Sequence, residues 1–323
     1  MPDRVTAQSP TPTSSSGSAR IDRSLTDELR RITLLQYDSL IETLSSLNDV
    51  DDDIHSARKA MKRIRALLRL DREAHRREAR RRENVTLRDV ARRIAPVRDA
   101  FMTIRTFDLV TSALPSGHDT AAISAIRNHL TASHLHERNV VQHDHRLRLE
   151  IVDELSAARH RVALMPPVGT GRDTKVSDFD MLSEGLRRTY RSAQRSYRRA
   201  ITHSDVGSFH RWRKPVKYSR HQLTLLRSFR PDTIDPMIEQ LSNLGDILGY
   251  EQDLGVLDTA ISAGPIEIDG DPVLTALFEI IDRDRLERQG QALELGREVY
   301  IDTPDDFTAR LRRDWVTGRY RST

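Results

Sequence analysis

Apolar side chains recur along this chain at helical spacing. Leu25, Leu29, Ile32, Leu35, Leu40, Leu44 and Leu47 mark one long face, and Ile64, Leu67 and Leu68 continue on the next element. No run of Val, Ile and Thr alternates with polar residues between hairpin turns, so strands are not expected. The periodicity predicts long helices over 24–47, 54–82, 86–112, 119–163, 179–203, 207–229, 233–262 and 272–299. Turn-forming residues punctuate the gaps at Asn48-Asp49, Pro115-Ser116-Gly117, His203-Ser204-Asp205 and Gly264-Pro265. The stretch from Pro166 to Gly171 reads as a joint. Four helices fall on each side of it, which predicts an all-α fold of two tandem four-helix bundles with long antiparallel helices. The bundles span 22–165 and 179–323, with a linker over 166–178. Residues 1–21 are rich in Ser, Thr and Pro with almost no large apolar side chain. Such a segment cannot offset its ordering entropy and is expected to be a disordered tail.

The two halves repeat a motif. The first reads His55-x-x-Arg58-Lys59-x-x-Lys62-x-x-Arg65 and the second His210-x-x-Arg213-Lys214-x-x-Lys217-x-x-Arg220, five positions repeated at a spacing of 155. Further on, Ile94 to Asp99 lines up with Leu248 to Asp253, one residue out of register, so each motif leads into an apolar helix carrying an Asp. Internal duplication explains this better than chance. On a helix the five positions fall within an arc of roughly 120°, giving one face of His, Arg, Lys, Lys and Arg. In the first copy the stripe extends through Arg69, Arg72, Arg76 and Arg80, in the second through Arg227. At 1.5 Å per residue the first stripe would be about 35 Å long. A further basic row, Arg187, Arg191, Arg195 and Arg198, precedes the second motif, and its helix is expected to pack antiparallel to the next and pool its charge. Pro215 inside the second motif is expected to kink or interrupt its helix.

Charge changes the picture by its distribution. The formal net charge is only +4, from 52 basic and 48 acidic residues. Yet His55 to Arg105 holds 17 basic against 6 acidic residues, and Arg187 to Arg230 holds 13 against 1, while Pro231 to Asp282 has 12 acids and no Lys or Arg. Two positive blocks imply a negatively charged partner. Self-repulsion along such a face is best compensated by repeated negative charge, since Arg offers forked hydrogen bonds to phosphate oxygens and Lys a point charge. A solvated basic face is the plain alternative, but it has no need of a fixed, duplicated pattern.

Other residues also carry candidate chemistry. His55 and His210 could contact a phosphate, act chemically, or cap their helices. Asp99 and Asp253 are expected to pair with basic residues of their own half. Tyr190 and Tyr197 read as packing residues rather than stacking platforms. His129, His134, His136, His143 and His145 form a cluster in sequence, but without a dense pattern of carboxylates or of groups to orient the rings, and without a counterpart in the second half, so no metal and no cofactor are expected. The absence of cysteine excludes disulfides and thiolate metal sites and fits a reducing compartment. No run of about 18 apolar residues suggests a membrane span, and the expected location is cytoplasmic.

At the paired His-x-x-Arg-Lys-x-x-Lys-x-x-Arg motif the chain resembles the CHAD family, the conserved-histidine alpha-helical domain. The resemblance covers most of 22–323, including Arg98-Asp99, Leu186 to Arg191, and an ending with Phe307, Arg310, Leu311 and Trp315. It implies two similar four-helix bundles around a basic groove that binds inorganic polyphosphate, often on polyphosphate granules. It places binding at His55, Arg58, Lys59, Lys62, Arg65, His210, Arg213, Lys214, Lys217 and Arg220. Arg69, Arg187, Arg191, Arg195 and Arg198 join these from the charge pattern. The Glu-x-Glu-x-Lys strand of the triphosphate-tunnel domain fused to many relatives does not occur here.

The leading expectation is therefore a non-catalytic polyphosphate-binding protein, not an enzyme. An enzyme acting on polyphosphate is the second reading, against which stands the lack of a Walker-type glycine loop and of a compact carboxylate cluster. A nonspecific nucleic-acid backbone binder is the third; aromatics make up only 5% of the chain and no base-reading motif is present. The sequence leaves the oligomeric state open.

Overall fold

The computed structural model describes residues 25–71, 76–114, 121–165, 178–203, 205–227, 231–264 and 272–320. The expected N-terminal tail, the joint from Pro166 to Gly171 and Arg72 lie outside them. Among the described residues there are eleven helices and no strand: α1 Leu25–Ser46, α2 Val50–Leu67, α3 Arg77–Arg93, α4 Ala95–Thr111, α5 Ala121–His143, α6 His145–Leu164, α7 Asp178–His203, α8 Val206–Leu226, α9 Pro231–Ser262, α10 Pro272–Val299 and α11 Pro304–Tyr320. The chain is all-helical.

Three expected helices are each divided, and local chemistry explains the divisions. The span 54–82 breaks after Leu67. There the N–H groups of Leu68, Arg69 and Leu70 bond back to Ile64, Ala66 and Leu67 in a tight turn. The turn buries Leu70 and sets Asp71 against Arg76 (2.8 Å) and Arg80 (3.3 Å). The basic stripe is thus cut short: Arg76 and Arg80 answer a buried carboxylate instead of extending it. The span 86–112 breaks at Ile94, because Pro96 supplies no N–H and suits only the first turn of a new helix. The span 119–163 breaks at Asp144, whose side chain accepts from Leu147 N–H at 2.8 Å and caps α6. Pro215, in contrast, leaves α8 continuous. The carbonyl it deprives of a donor belongs to Arg211, an exposed residue that water can serve.

Apolar burial is organised in three clusters. One joins α1, α2, α3 and α6 around Tyr37, Ile54, Ile64, Leu87 and Leu155. A second gathers α7, α8, α9 and α11 around Trp212, Phe209, Phe179 and Leu244, and takes in Leu25, Leu29, Leu67 and Leu70 from the first half. In it Tyr190 stacks on Phe307 with centroids 4.1 Å apart, and Tyr197 packs against Trp212, so both tyrosines are core residues. The third is shared outright, with Phe107, Val110, Ile126 and Leu130 packed on Leu254, Leu257, Leu277 and Ile281.

Gly185 marks how closely the halves approach. A Cβ there would lie 2.4 Å from the carbonyl oxygen of Leu70, a clash with backbone that no rotamer relieves. Only glycine lets α7 rest directly on the turn that ends α2.

Glu83 is fully buried and is held by Arg161 through two hydrogen bonds of 2.7 and 2.8 Å. Arg161→Ala strands that carboxylate and is expected to cost about 3 kcal/mol in urea unfolding. A loss below about 1 kcal/mol, the worth of an exposed pair, would mean that the neighbouring Arg82 is enough.

A candidate anion-binding cleft

Both basic motifs lie whole on single helices, the first on α2 and the second on α8. Asp49 opens α2: its carboxylate accepts from the N–H groups of Asp51 and Asp52 at 3.1 and 3.3 Å. Asp51, Asp52 and Asp53 then complement the positive end of the helix. Asp205 does the same for α8 through Ser208 N–H at 2.6 Å. The apolar faces of α2 and α8 pack into the first two clusters, and the two helices meet each other.

Between them, and between α4 and α9, lies a cleft of about 410 Å³. From α2 it is lined by His55, Arg58, Lys59 and Lys62, and from α4 by Arg98, Asp99, Met102 and Thr103. From α8 come Arg213, Lys217, Arg220 and His221, and from α9 Asp246, Gln252, Asp253 and Val256. Seven Arg and Lys side chains thus face three carboxylates. The first arginine of each motif is held from a helix further along its own half, but not at aligned positions, since Asp253 and not Gln252 lines up with Asp99. Arg58 Nη2 donates to Asp99 Oδ1 at 3.2 Å, and Arg213 Nη1 donates to Gln252 Oε1 at 2.9 Å. Asp99 so pairs within its own half. Asp253 faces Arg213 and Lys217 of its half and Arg98 of the other, and burial raises its pKa above the usual carboxylate range.

The cleft is short of negative charge. Lys59, Lys62 and Lys217 make no ion pair or hydrogen bond among the described residues, and Arg213 Nε is buried without a partner. The cost appears in the titration of the lysines. Burial, then repulsion from Arg58 and Arg213, lowers Lys62 to about 8. Burial, then Arg213, Lys62 and Arg220, lowers Lys217 to about 7. His221 is pushed down to about 3 and His55 also falls, in both cases through burial first and cationic neighbours second. Burial likewise lowers Arg213 and Arg98. An anion entering here would meet preorganised donors and relieve this repulsion.

Several expected site residues lie elsewhere. His210 and Lys214 are exposed and do not line the cleft. Arg65 donates to Asn84 Oδ1 at 3.0 Å, and Arg69 lies over the Tyr218 ring, 4.5 Å from its centroid. Arg187 pairs with Glu184 and Asp305. Arg191 and Arg195 line a separate cleft between α7 and α8, and Arg198 is exposed outside both. α7 and α8 do pack together, but their shared charge gathers at Arg211 rather than at the motif.

Sequence reasoning missed Met102, Thr103, Asp246, Gln252 and His221. It also missed Gly245 and Gly249, which bring α9 against α8 within ordinary contact of Arg213 and Lys217. A Cβ on Gly249 would sit 3.4 Å from Arg213 Nη2, and one on Gly245 3.9 Å from Lys217 Cγ. Glycines four apart in a helix that faces a basic one are the signal that could have found them.

The histidine cluster disperses. His134 is buried, bonded to Asp51 Oδ1 at 2.8 Å, while His129, His136, His143 and His145 are exposed. Among the described residues no three His, Asp or Glu side chains converge as metal ligands. No helix among them is long and apolar enough to cross a membrane.

Comparison with known proteins places this architecture. The fold is similar to that of PptA from Streptomyces chartreusis, with a TM-score of 0.61 and 13% identity over 87% of this chain and 100% of that one. It is also similar to the crystal structure of the CHAD domain from the plant Ricinus communis, with a TM-score of 0.54 and 15% identity over 86% of this chain and 92% of that one. No curated protein matches the sequence significantly. The CHAD domain family matches residues 32–262, a span holding both basic motifs and all four helices that line the cleft. This chain belongs to the CHAD domain family.

Proposed function

We propose that the protein binds inorganic polyphosphate, without catalysis, in the cleft between α2, α4, α8 and α9. One observation carries this reading. Two copies of one basic motif, 155 residues apart, turn cationic side chains into a single cavity where Lys59, Lys62 and Lys217 have no carboxylate partner. The chain is read as a tandem duplication whose two copies supply the walls of one basic groove. Arg58 beside Asp99 and Arg213 beside Asp253 occupy equivalent positions, and so do Lys62 and Lys217, neither of which makes an ion pair among the described residues.

The ligand chemistry follows from the lining. A run of phosphates satisfies forked Arg donors and Lys point charges at every unit. A nucleic acid would also need somewhere to put its bases, and no Phe, Tyr or Trp lines the cleft. The granule and cytoplasmic associations implied by the family resemblance are part of the proposal.

The test is a titration with long-chain polyphosphate at two salt concentrations, with single-stranded DNA as competitor. Tight binding that DNA does not displace, and that weakens about tenfold or more across a few-fold rise in salt, is expected from counterion release at several contacts. Weak binding, or equal preference for DNA, overturns the polyphosphate reading. Released phosphate or a phosphorylated His55 or His221 overturns the binding-only reading.

A further inference from the structure

The outer side of α7 carries a second concentration of positive charge. Arg188, Arg191, Arg195 and Arg199 line an open cleft of about 490 Å³ that Ser208 and Arg211 of α8 complete. Arg188 answers Glu184, and Arg211 lies 3.5 Å from Asp205 and donates to Ser208 Oγ at 3.0 Å. Arg191, Arg195 and Arg199 have no ion pair or hydrogen bond among the described residues. From Arg188 to Arg199 the row rises about 17 Å along the helix. No carboxylate and no aromatic ring is among the lining residues, and serines from both helices add hydroxyl donors.

This cleft is not an annex of the inner one. Arg211 and Arg213 are two residues apart and so point about 200° from each other around α8. Between them Trp212 is fully buried in the core. No residue lines both cavities. Three unpaired guanidinium groups, Arg191, Arg195 and Arg199, between two that are already paired are unfavourable by themselves, and each presents forked donors suited to phosphate oxygens. Without an aromatic ring the cleft offers a base no stacking surface beyond the guanidinium planes themselves.

We infer that the outer cleft of α7 and α8 is a second binding site for linear phosphate polymers, independent of the inner cleft, so that one protein molecule holds two polymer segments and can bridge them. The ligand class, though not the place, follows from the polyphosphate reading above. Two sites on opposite sides of α8 cannot be filled by one short oligomer, whereas long chains would be cross-linked.

Sodium tripolyphosphate, too short to span both clefts, is the probe for isothermal titration. The parent protein is expected to bind two molecules, and the pair Arg195→Glu with Arg199→Glu, both exposed positions, to bind one with an unchanged thermal melt. Long-chain polyphosphate should then produce light scattering with the parent and little with that variant, although the variant still binds the chain. A stoichiometry that the outer variant shares with the parent, whether one or two, overturns the second site. The inner pair Lys62→Glu with Lys217→Glu separates the two readings: retention of one tripolyphosphate supports the outer site even if the inner reading has failed elsewhere. Displacement of that remaining ligand by single-stranded DNA at equal phosphate concentration overturns the choice of polymer.

Discussion

Lys62→Glu combined with Lys217→Glu is expected to lower the affinity of the inner cleft for polyphosphate about a thousand-fold, since losing a partner from a buried charge contact costs about 2–5 kcal/mol. The same protein, without ligand, should be at least as stable as the parent. Both lysines sit among Arg58, Arg98, Arg213 and Arg220, and the attraction of Asp99 for Lys62 and of Asp246 for Lys217 falls short of the burial and repulsion they bear. A glutamate at either place replaces repulsion with attraction, so the binding defect and the fold should move in opposite directions. Fluorescence anisotropy with labelled polyphosphate and a urea melt, with parent and variant both carrying Arg195→Glu and Arg199→Glu to silence the outer cleft, measure the two quantities on one sample. Binding within about tenfold of the parent, a loss of under 1.4 kcal/mol, would remove the inner cleft as the site. Lost binding together with a lost fold would instead assign the lysines a structural part.

Affinity is also expected to fall between about 10- and 100-fold from pH 7 to pH 9, since each lysine that must regain a proton contributes up to one power of ten per pH unit. In the free protein Lys62 and Lys217 are depressed to about 8 and about 7. A polyanion restores them towards the ordinary lysine value, so binding takes up protons. The attraction is complete at about pH 6 and is lost as pH rises through the free-state values. Fold stability without ligand follows the opposite course. Unfolded lysines keep their protons up to about pH 10 while the folded ones have already shed theirs, so stability rises with pH over that window. Lys62→Arg with Lys217→Arg is the control, because guanidinium groups do not titrate in this range. Its affinity should be nearly flat from pH 7 to pH 9. A parent protein with a flat profile would mean that the two ammonium groups do not touch the ligand.

The repeated motif was legible because its spacing is a matter of sequence alone, and helical periodicity correctly made α2 and α8 its carriers. Which motif positions meet the cleft was not legible. His55, Arg58, Lys59 and Lys62 line it from the first copy, but Arg213, Lys217 and Arg220 from the second, with His210 and Lys214 outside. Helices that cross share a cavity over only a few turns each, and the crossing depends on packing partners far away in sequence. The break after Leu67 was hidden for a similar reason. The local sequence favours a continuing helix, and tertiary burial of Leu70 under Gly185 overrides it. Pro96 and Asp144, by contrast, carry ordinary helix-start chemistry and could have been read as boundaries. The row on α7 was visible as charge, but spacing could not show that it faces away from the motif on the far side of Trp212.

The shared cluster of Phe107, Ile126, Leu257 and Leu277 has an entropic consequence. It ties α4 and α5 to α9 and α10, so two of the helices that wall the cleft are already fixed in relation to each other before any ligand arrives. On capture the protein has little left to order, and the loss of freedom falls on the polymer. A polymer of identical units does not have to find one register in such a rigid slot. Every shift by one phosphate presents the same charges to the same side chains. The number of equivalent placements grows with chain length, and that degeneracy favours long chains over short ones even when each contact is no stronger.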